Sequence, residues 1–169
     1  MSRQVKLQDK GIMGTSDNAF KAPNGKYYSS KEVWEFLHHE NELRIKCLEK
    51  LSEYMGYTNV QQLPTIANKR VKEFKDRWGY DVLLTTIEEQ EDRIRKAMTK
   101  NFESDGSAVI YIFAILNSYI GPVYRRKAYE EKQQSQMNRS FEVEDKPFIQ
   151  ETKQAKDVSG LIGGDNLWT

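Results

Sequence analysis

Cysteine, histidine and proline are all scarce in this chain of 169 residues, which holds one Cys, two His and four Pro. A single thiol, Cys47, excludes an intramolecular disulfide and a Cys-rich zinc site, and it fits a reducing compartment. His38 and His39 are adjacent, so on a helix they point about 100° apart and cannot share one metal ion comfortably. The i, i+4 histidine spacing of helical zinc sites is missing. No excess of one charge exists either: 26 Lys and Arg stand against 25 Asp and Glu, a net charge of +1. The chain cannot coat a polyanion by global charge, so any such contact has to be local. The N-terminus, Met1-Ser2-Arg3-Gln4-Val5-Lys6, lacks the apolar run of a signal peptide, which argues for a cytosolic protein. No glycine-rich phosphate loop follows a strand, and Cys47 falls inside an amphipathic stretch where a thiol is a small hydrophobe. Catalysis, a metal and a cofactor are therefore not expected.

What is present is helical periodicity between two polar ends. Residues 1–28 carry five Lys/Arg and two Asp, and residues 134–169 carry four Lys/Arg and six Asp/Glu. The first nineteen residues have no period and read as a flexible arm. Asn24-Gly25, set between Phe20-Lys21 and Tyr27-Tyr28, predicts a small β-hairpin that must lean on a helix. Ser29-Ser30 caps a helix to about Met55, with Leu37, Ile45, Leu48, Leu51 and Met55 on its apolar face. Thr65 caps a second helix with the stripe Ala67, Val71, Phe74 and Trp78. Asp81 caps a third, burying Leu83, Leu84, Ile87, Ile94 and Met98, whose charged outer face reads as a solvated lattice.

Residues 108–116, Ala-Val-Ile-Tyr-Ile-Phe-Ala-Ile-Leu, are apolar on every side and predict a central fourth helix, kinked before Pro122. Nine such residues fall short of the roughly 20 that span a bilayer, so no membrane partner is expected. The predicted fold is mainly α: about four helices over residues 29–133, a small N-terminal hairpin, and a disordered tail over 134–169. That tail ends in an apolar tip, Leu161, Ile162, Leu167 and Trp168, the layout of a tethered segment that docks on a partner protein.

Three basic clusters stand out: Lys69-Arg70-Lys72-Lys75, Arg93-Arg95-Lys96-Lys100 and Arg125-Arg126-Lys127. The third follows Tyr119 and Tyr124 at the exit of the most apolar helix, joining ring faces for bases to cations for phosphates. Residues 111–119 resemble the Y-x-x-x-I-x-x-x-W signature of the DnaD C-terminal domain, with Tyr111 and Ile115 in place and Tyr119 where the motif has tryptophan. Trp78-Gly79-Tyr80-Asp81-Val82 extends that likeness over about residues 66–127. The style of Asn24-Gly25-Lys26-Tyr27-Tyr28 is similar to short proteins of phages and plasmids from Gram-positive hosts. The resemblance implies a non-enzymatic phage or mobile-element protein that binds single-stranded DNA or a DNA-processing complex, through Tyr111, Tyr119, Tyr124, Arg125, Arg126 and Lys127. The competing expectation is a phage inhibitor that docks on a host enzyme or immune nuclease, as anti-CRISPR proteins do.

Overall fold

Gly14 explains why the N-terminal arm has structure. In the computed structural model, which describes residues 2–144 and side chains through residue 138, strand β1 (Gln4–Lys6) pairs antiparallel with β2 (Met13–Thr15). Val5 sits opposite Gly14, and a Cβ on Gly14 would meet the Leu7 side chain at 3.1 Å. Leu7 is thus buried against bare backbone, and Gly11 turns the ribbon at φ +67. The predicted flexible arm is corrected accordingly: the packing of Val5, Leu7 and Gly14 carries no period for a sequence pattern to reveal.

The hairpin at Asn24-Gly25 forms as predicted, with β3 (Phe20–Lys21) paired to β4 (Tyr27–Tyr28) and Gly25 at φ +78. It leans on α1 (Lys31–Tyr54) through Phe20 and Trp34, whose ring centroids lie 5.5 Å apart. Asp9 ties the first ribbon to this helix start, accepting from the Ser29 hydroxyl and from its backbone N–H at 3.0 Å. These hydrogen bonds, that of the hydroxyl first, hold the Asp9 carboxyl below its ordinary pKa.

Ser30 caps α1 by accepting from the Val33 N–H at 3.3 Å, and Gly56 (φ +77) ends it. The buried face differs from the predicted one: Leu43, Cys47, Leu48, Leu51 and Tyr54 face inward, while Leu37 and Ile45 are exposed. Helix α2 (Thr65–Trp78) buries Ala67 and Val71 as predicted, but Thr65 makes no cap; Pro64 stands at that position and lacks a capping side chain. The predicted third helix is two, α3 (Tyr80–Glu89) and α4 (Glu91–Met98). Gln90 leaves the helical region at φ −101, ψ 13, which lets Ile87 and Ile94 both reach the core fully. Asp81 does not cap α3; its carboxylate pairs with Lys127.

Helix α5 (Asp105–Glu144) contains Pro122 and runs past the boundary predicted at residue 133. Residues 130–137 are mostly Glu, Lys, Gln and Met, good helix formers, and this carries the helix into a stretch read as disordered. The chain divides into two units, Met1–Glu130 and Glu131–Thr169, and the described part of the second is this helical continuation. The apolar tip at 161–168 lies outside the described residues.

Helix α5 is not buried on every side. Val109, Ile112, Phe113, Leu116, Ile120 and Val123 form one inward stripe, and Ile110 and Tyr111 are 48% and 38% exposed. An 18-residue window of α5 reaches a mean hydropathy of 1.5, so length and composition alone would allow it to cross a membrane, contrary to the shorter count above. In the fold, 39% of that window is buried inside the protein.

This packing can be tested at two positions. Leu116 is fully buried, so Leu116→Ala should destabilise by about 2–5 kcal/mol in denaturant unfolding, and a change under about 1 kcal/mol would remove α5 from the core. Cys47 is equally buried, and desolvation pushes its thiol up to about 12. A thiol-specific reagent at mildly alkaline pH should label it only on unfolding; labelling of the native chain at the rate of a free thiol would contradict this burial.

Candidate functional site

Two of the three cations of the third basic cluster are paired with carboxylates of α3. Arg126 pairs with Glu89 at the end of α3 and with Glu130 at 3.8 Å, and Lys127 pairs with Asp81 in the first turn of α3. Tyr124 packs edge-on against Trp78, with ring centroids 5.3 Å apart. Arg125 is exposed and has no carboxylate partner among the described residues. The six residues singled out in the sequence therefore do not form one patch. At 100° per residue, Tyr124 lies about 140° around α5 from Tyr119.

Tyr111 and Tyr119, in contrast, share a groove between α4 and α5 with a volume of about 440 Å³. Its walls are Arg93, Lys96, Ala97 and Lys100 on one side and Tyr111, Ala114, Ile115, Ser118 and Tyr119 on the other. The Arg93 guanidinium lies 4.8 Å from the Tyr119 ring centroid. Lys100 Nζ lies 4.7 Å from that of Tyr111 and donates to its hydroxyl at 2.8 Å. Phe102 backs Tyr111, with centroids 5.6 Å apart. Among the described residues no Asp or Glu lines this groove.

The sequence reading assigns the second cluster to a solvated lattice, whereas in the structure Arg93, Lys96 and Lys100 line a groove. A signal for it exists: Arg93, Lys96, Ala97 and Lys100 follow i, i+3, i+4, i+7, one face of a helix. Arg95, out of that register, instead pairs with Glu91 at 2.7 Å and with Glu53, and its guanidinium covers Tyr54. Burial, then the nearby Glu91 carboxylate, raises the Tyr54 hydroxyl well above its ordinary range. At the start of α5, Tyr57 donates to Asp105, and burial with that bond pushes its hydroxyl up to about 12. Both tyrosines remain protonated donors, which locks α1 and the loop behind it to α4 and α5.

A second groove, of about 670 Å³, runs along α5 on the α2 side. Phe74, Ile110, Phe113 and Ala114 form its floor, and Arg70, Glu73, Asp76, Arg77 and Asn117 its rim. Here charge is mixed, with Arg70 bound to Glu73 at 2.9 Å. Among the described residues no cluster of three or more His, Cys, Asp or Glu could hold a metal. His38 stacks on Trp34 at 5.2 Å and approaches Glu42 at 3.4 Å, away from both grooves.

If Tyr124 serves packing, removing it exposes Trp78. With Trp34 and Trp168 changed to Phe, Tyr124→Ala should move Trp78 emission to longer wavelength, and an unchanged spectrum would free Tyr124 for another role.

Comparison with known proteins gives one family. The family model described as SPbeta prophage protein YorH matches residues 8–161, and the match is to that family and not to a DnaD-like domain. No curated protein and no solved structure matches.

Proposed function

The chain belongs to the SPbeta prophage protein YorH family, which makes it a phage protein, and from that premise we propose that it binds single-stranded nucleic acid in the α4–α5 groove. The observation that carries this reading is the lining: three cations, two tyrosines and no carboxylate among the described residues. Phosphates are drawn to Arg93, Lys96 and Lys100, whose charge no acid within the groove offsets. Bases find planar partners in Tyr111, Tyr119 and the Arg93 guanidinium, because stacking on rings and guanidinium planes is how single strands are held. Tyr111 and Tyr119 are eight residues apart on α5, about 12 Å along the axis, and bases of a closed duplex could not be splayed to that spacing.

The three signature positions that resemble the DnaD motif, Tyr111, Ile115 and Tyr119, all line this groove. That supports a replication-type role of the kind the resemblance implies, exercised by binding and not by catalysis, inside the bacterial host cell. The basic cluster that carries it is Arg93, Lys96 and Lys100, with Tyr111 and Tyr119; Arg126 and Lys127 act as staples.

Binding measured by fluorescence anisotropy at low salt, then as a function of salt, tests the proposal. The wild type should bind a single-stranded oligonucleotide with log K falling linearly against log salt. Changing Arg93, Lys96 and Lys100 together to Ala should weaken binding and flatten the slope by about 2, since each phosphate neutralised on a single strand adds roughly 0.7 to it. A wild type that ignores oligonucleotides at low salt but captures one host protein would replace this reading with that of an inhibitor.

A further inference from the structure

On the outer side of α5 the two grooves meet. Ala114 lines both, so one helix separates them. Taking the inward stripe Val109, Ile112, Phe113, Leu116, Ile120 and Val123 as one pole, the opposite pole at 100° per residue falls on Tyr111, Ala114, Ser118 and Arg125, with Gly121 next to it. Ala114, Ser118 and Gly121 are small, leaving a low crest between Tyr111 and Arg125. A Cβ on Gly121 would meet nothing within 4 Å. Beside the crest, Ile110 and Tyr111 expose apolar surface, one toward each groove. Beyond it, Arg77 stands on the rim of the α2 groove, exposed and without a carboxylate partner among the described residues, as Arg125 does on the crest itself. The acids of that rim are engaged: Glu73 with Arg70 at 2.9 Å, and Asp76 with Lys75 at 3.8 Å.

We infer that the α2–α5 groove is a second nucleic-acid subsite, which takes the continuation of the strand held between α4 and α5 after it crosses the α5 crest at Ala114. This rests on the function proposed above and extends it. Four cations without a carboxylate partner among the described residues line the two grooves: Arg93, Lys96 and Lys100 on the near side of the crest and Arg77 on the far side. Phosphates on that route meet Arg93, Lys96 and Lys100 in a groove that no acid lines among the described residues, then Arg77, beside which Glu73 and Asp76 are each bound to another cation. The apolar floor of the far groove, Phe74, Ile110 and Phe113, gives bases a surface to cover, with the Asn117 amide at its edge. A helix is about 10 Å across, or about three nucleotides at the stacked spacing of roughly 3.4 Å per nucleotide. Adding the roughly 12 Å between Tyr111 and Tyr119 gives a footprint of about seven nucleotides, against about four for the near groove alone.

The experiment compares oligothymidylates of about four and about twelve nucleotides, within the range of site sizes for single-strand binders. Lys96→Ala should weaken both, each by about eightfold at about 50 mM salt, the factor that one phosphate neutralised on a single strand supplies. Arg77→Ala should weaken the longer one by a similar factor and leave the shorter unchanged. Asn117→Glu, which sets a carboxylate on the far side of the crest, should do the same. All three positions are exposed, so thermal melting should stay as in the wild type. If Arg77→Ala and Asn117→Glu leave the longer oligonucleotide bound as before, or weaken both lengths equally, the second subsite is refuted while the near groove stands on its response to Lys96→Ala. If neither length binds the wild type at low salt, the underlying reading is refuted and the subsite with it.

Discussion

The commitment of one face of α5 to the core is the constraint on which the rest of the structure depends. Its six inward side chains, from Val109 to Val123, recur at i, i+3, i+4, i+7, i+11 and i+14 and are at most 3% exposed. They join Leu43, Leu51, Val71, Leu83, Ile87 and Ile94 in a single apolar cluster, to which all five helices contribute and in which α1 packs on α2, α3 and α4. The edge-on pair Phe74 and Phe113, with centroids 4.9 Å apart, sets α2 against α5. Once that stripe is fixed, the opposite pole must face outward with whatever residues the sequence puts there. The grooves on either side are consequences of the packing, and their chemistry is decided by which charges remain without an acid beside them.

That pairing lets the local charge of a groove differ from the chain's net charge of +1. Net charge matters at long range, but screening confines a surface charge to about 10 Å in ordinary salt. Within that distance the chain is segregated. Arg126 and Lys127 are answered by Glu89 and Asp81, and Arg95 by Glu91 and Glu53. The acids are drawn into ties between helices, so the groove beside Tyr111 and Tyr119 is left with cations alone among its described lining residues. Exposed ion pairs add little to stability singly. Their larger effect here is to remove carboxylates from the neighbourhood of the cations they do not touch.

Much of the fold was legible because it rests on local signals. The Asn24-Gly25 turn, the Ser30 cap and the Ala67 and Val71 stripe each follow from neighbours close in sequence. What escaped depends on distant partners. The ribbon of β1 and β2 exists because Leu7 fills the space that Gly14 leaves, and the break at Gln90 exists because Ile87 and Ile94 face one core from two directions. Residues 108–116 misled for a different reason. A run apolar on every side predicts burial on every side, yet a short bundle has too few helices to surround α5, and Ile110 and Tyr111 are left at the surface. Of the candidate site, Tyr111 and Tyr119, named from the sequence, line one groove, whereas which basic cluster keeps its cations unpaired depends on carboxylates that lie 37 and 46 residues away in sequence.

The groove is also occupied by its own charges, and this shapes what can enter it. Arg93 rests on Tyr119 and Lys100 on Tyr111, interactions that keep two long side chains from ranging through solvent. A ligand offering only charge could draw the cations outward but would forfeit their hold on the rings. One offering only a flat apolar face would have to displace the cations and leave them unanswered. A ligand carrying an anion next to a planar ring avoids both penalties, since the anion meets the cation as the ring replaces or extends the stack. A mononucleotide unit has that composition, and repetition of the unit along a strand matches repetition of the Tyr and cation pairs along α5. On the proposed reading, the same pre-arranged interactions would favour a nucleic-acid strand over simple anions.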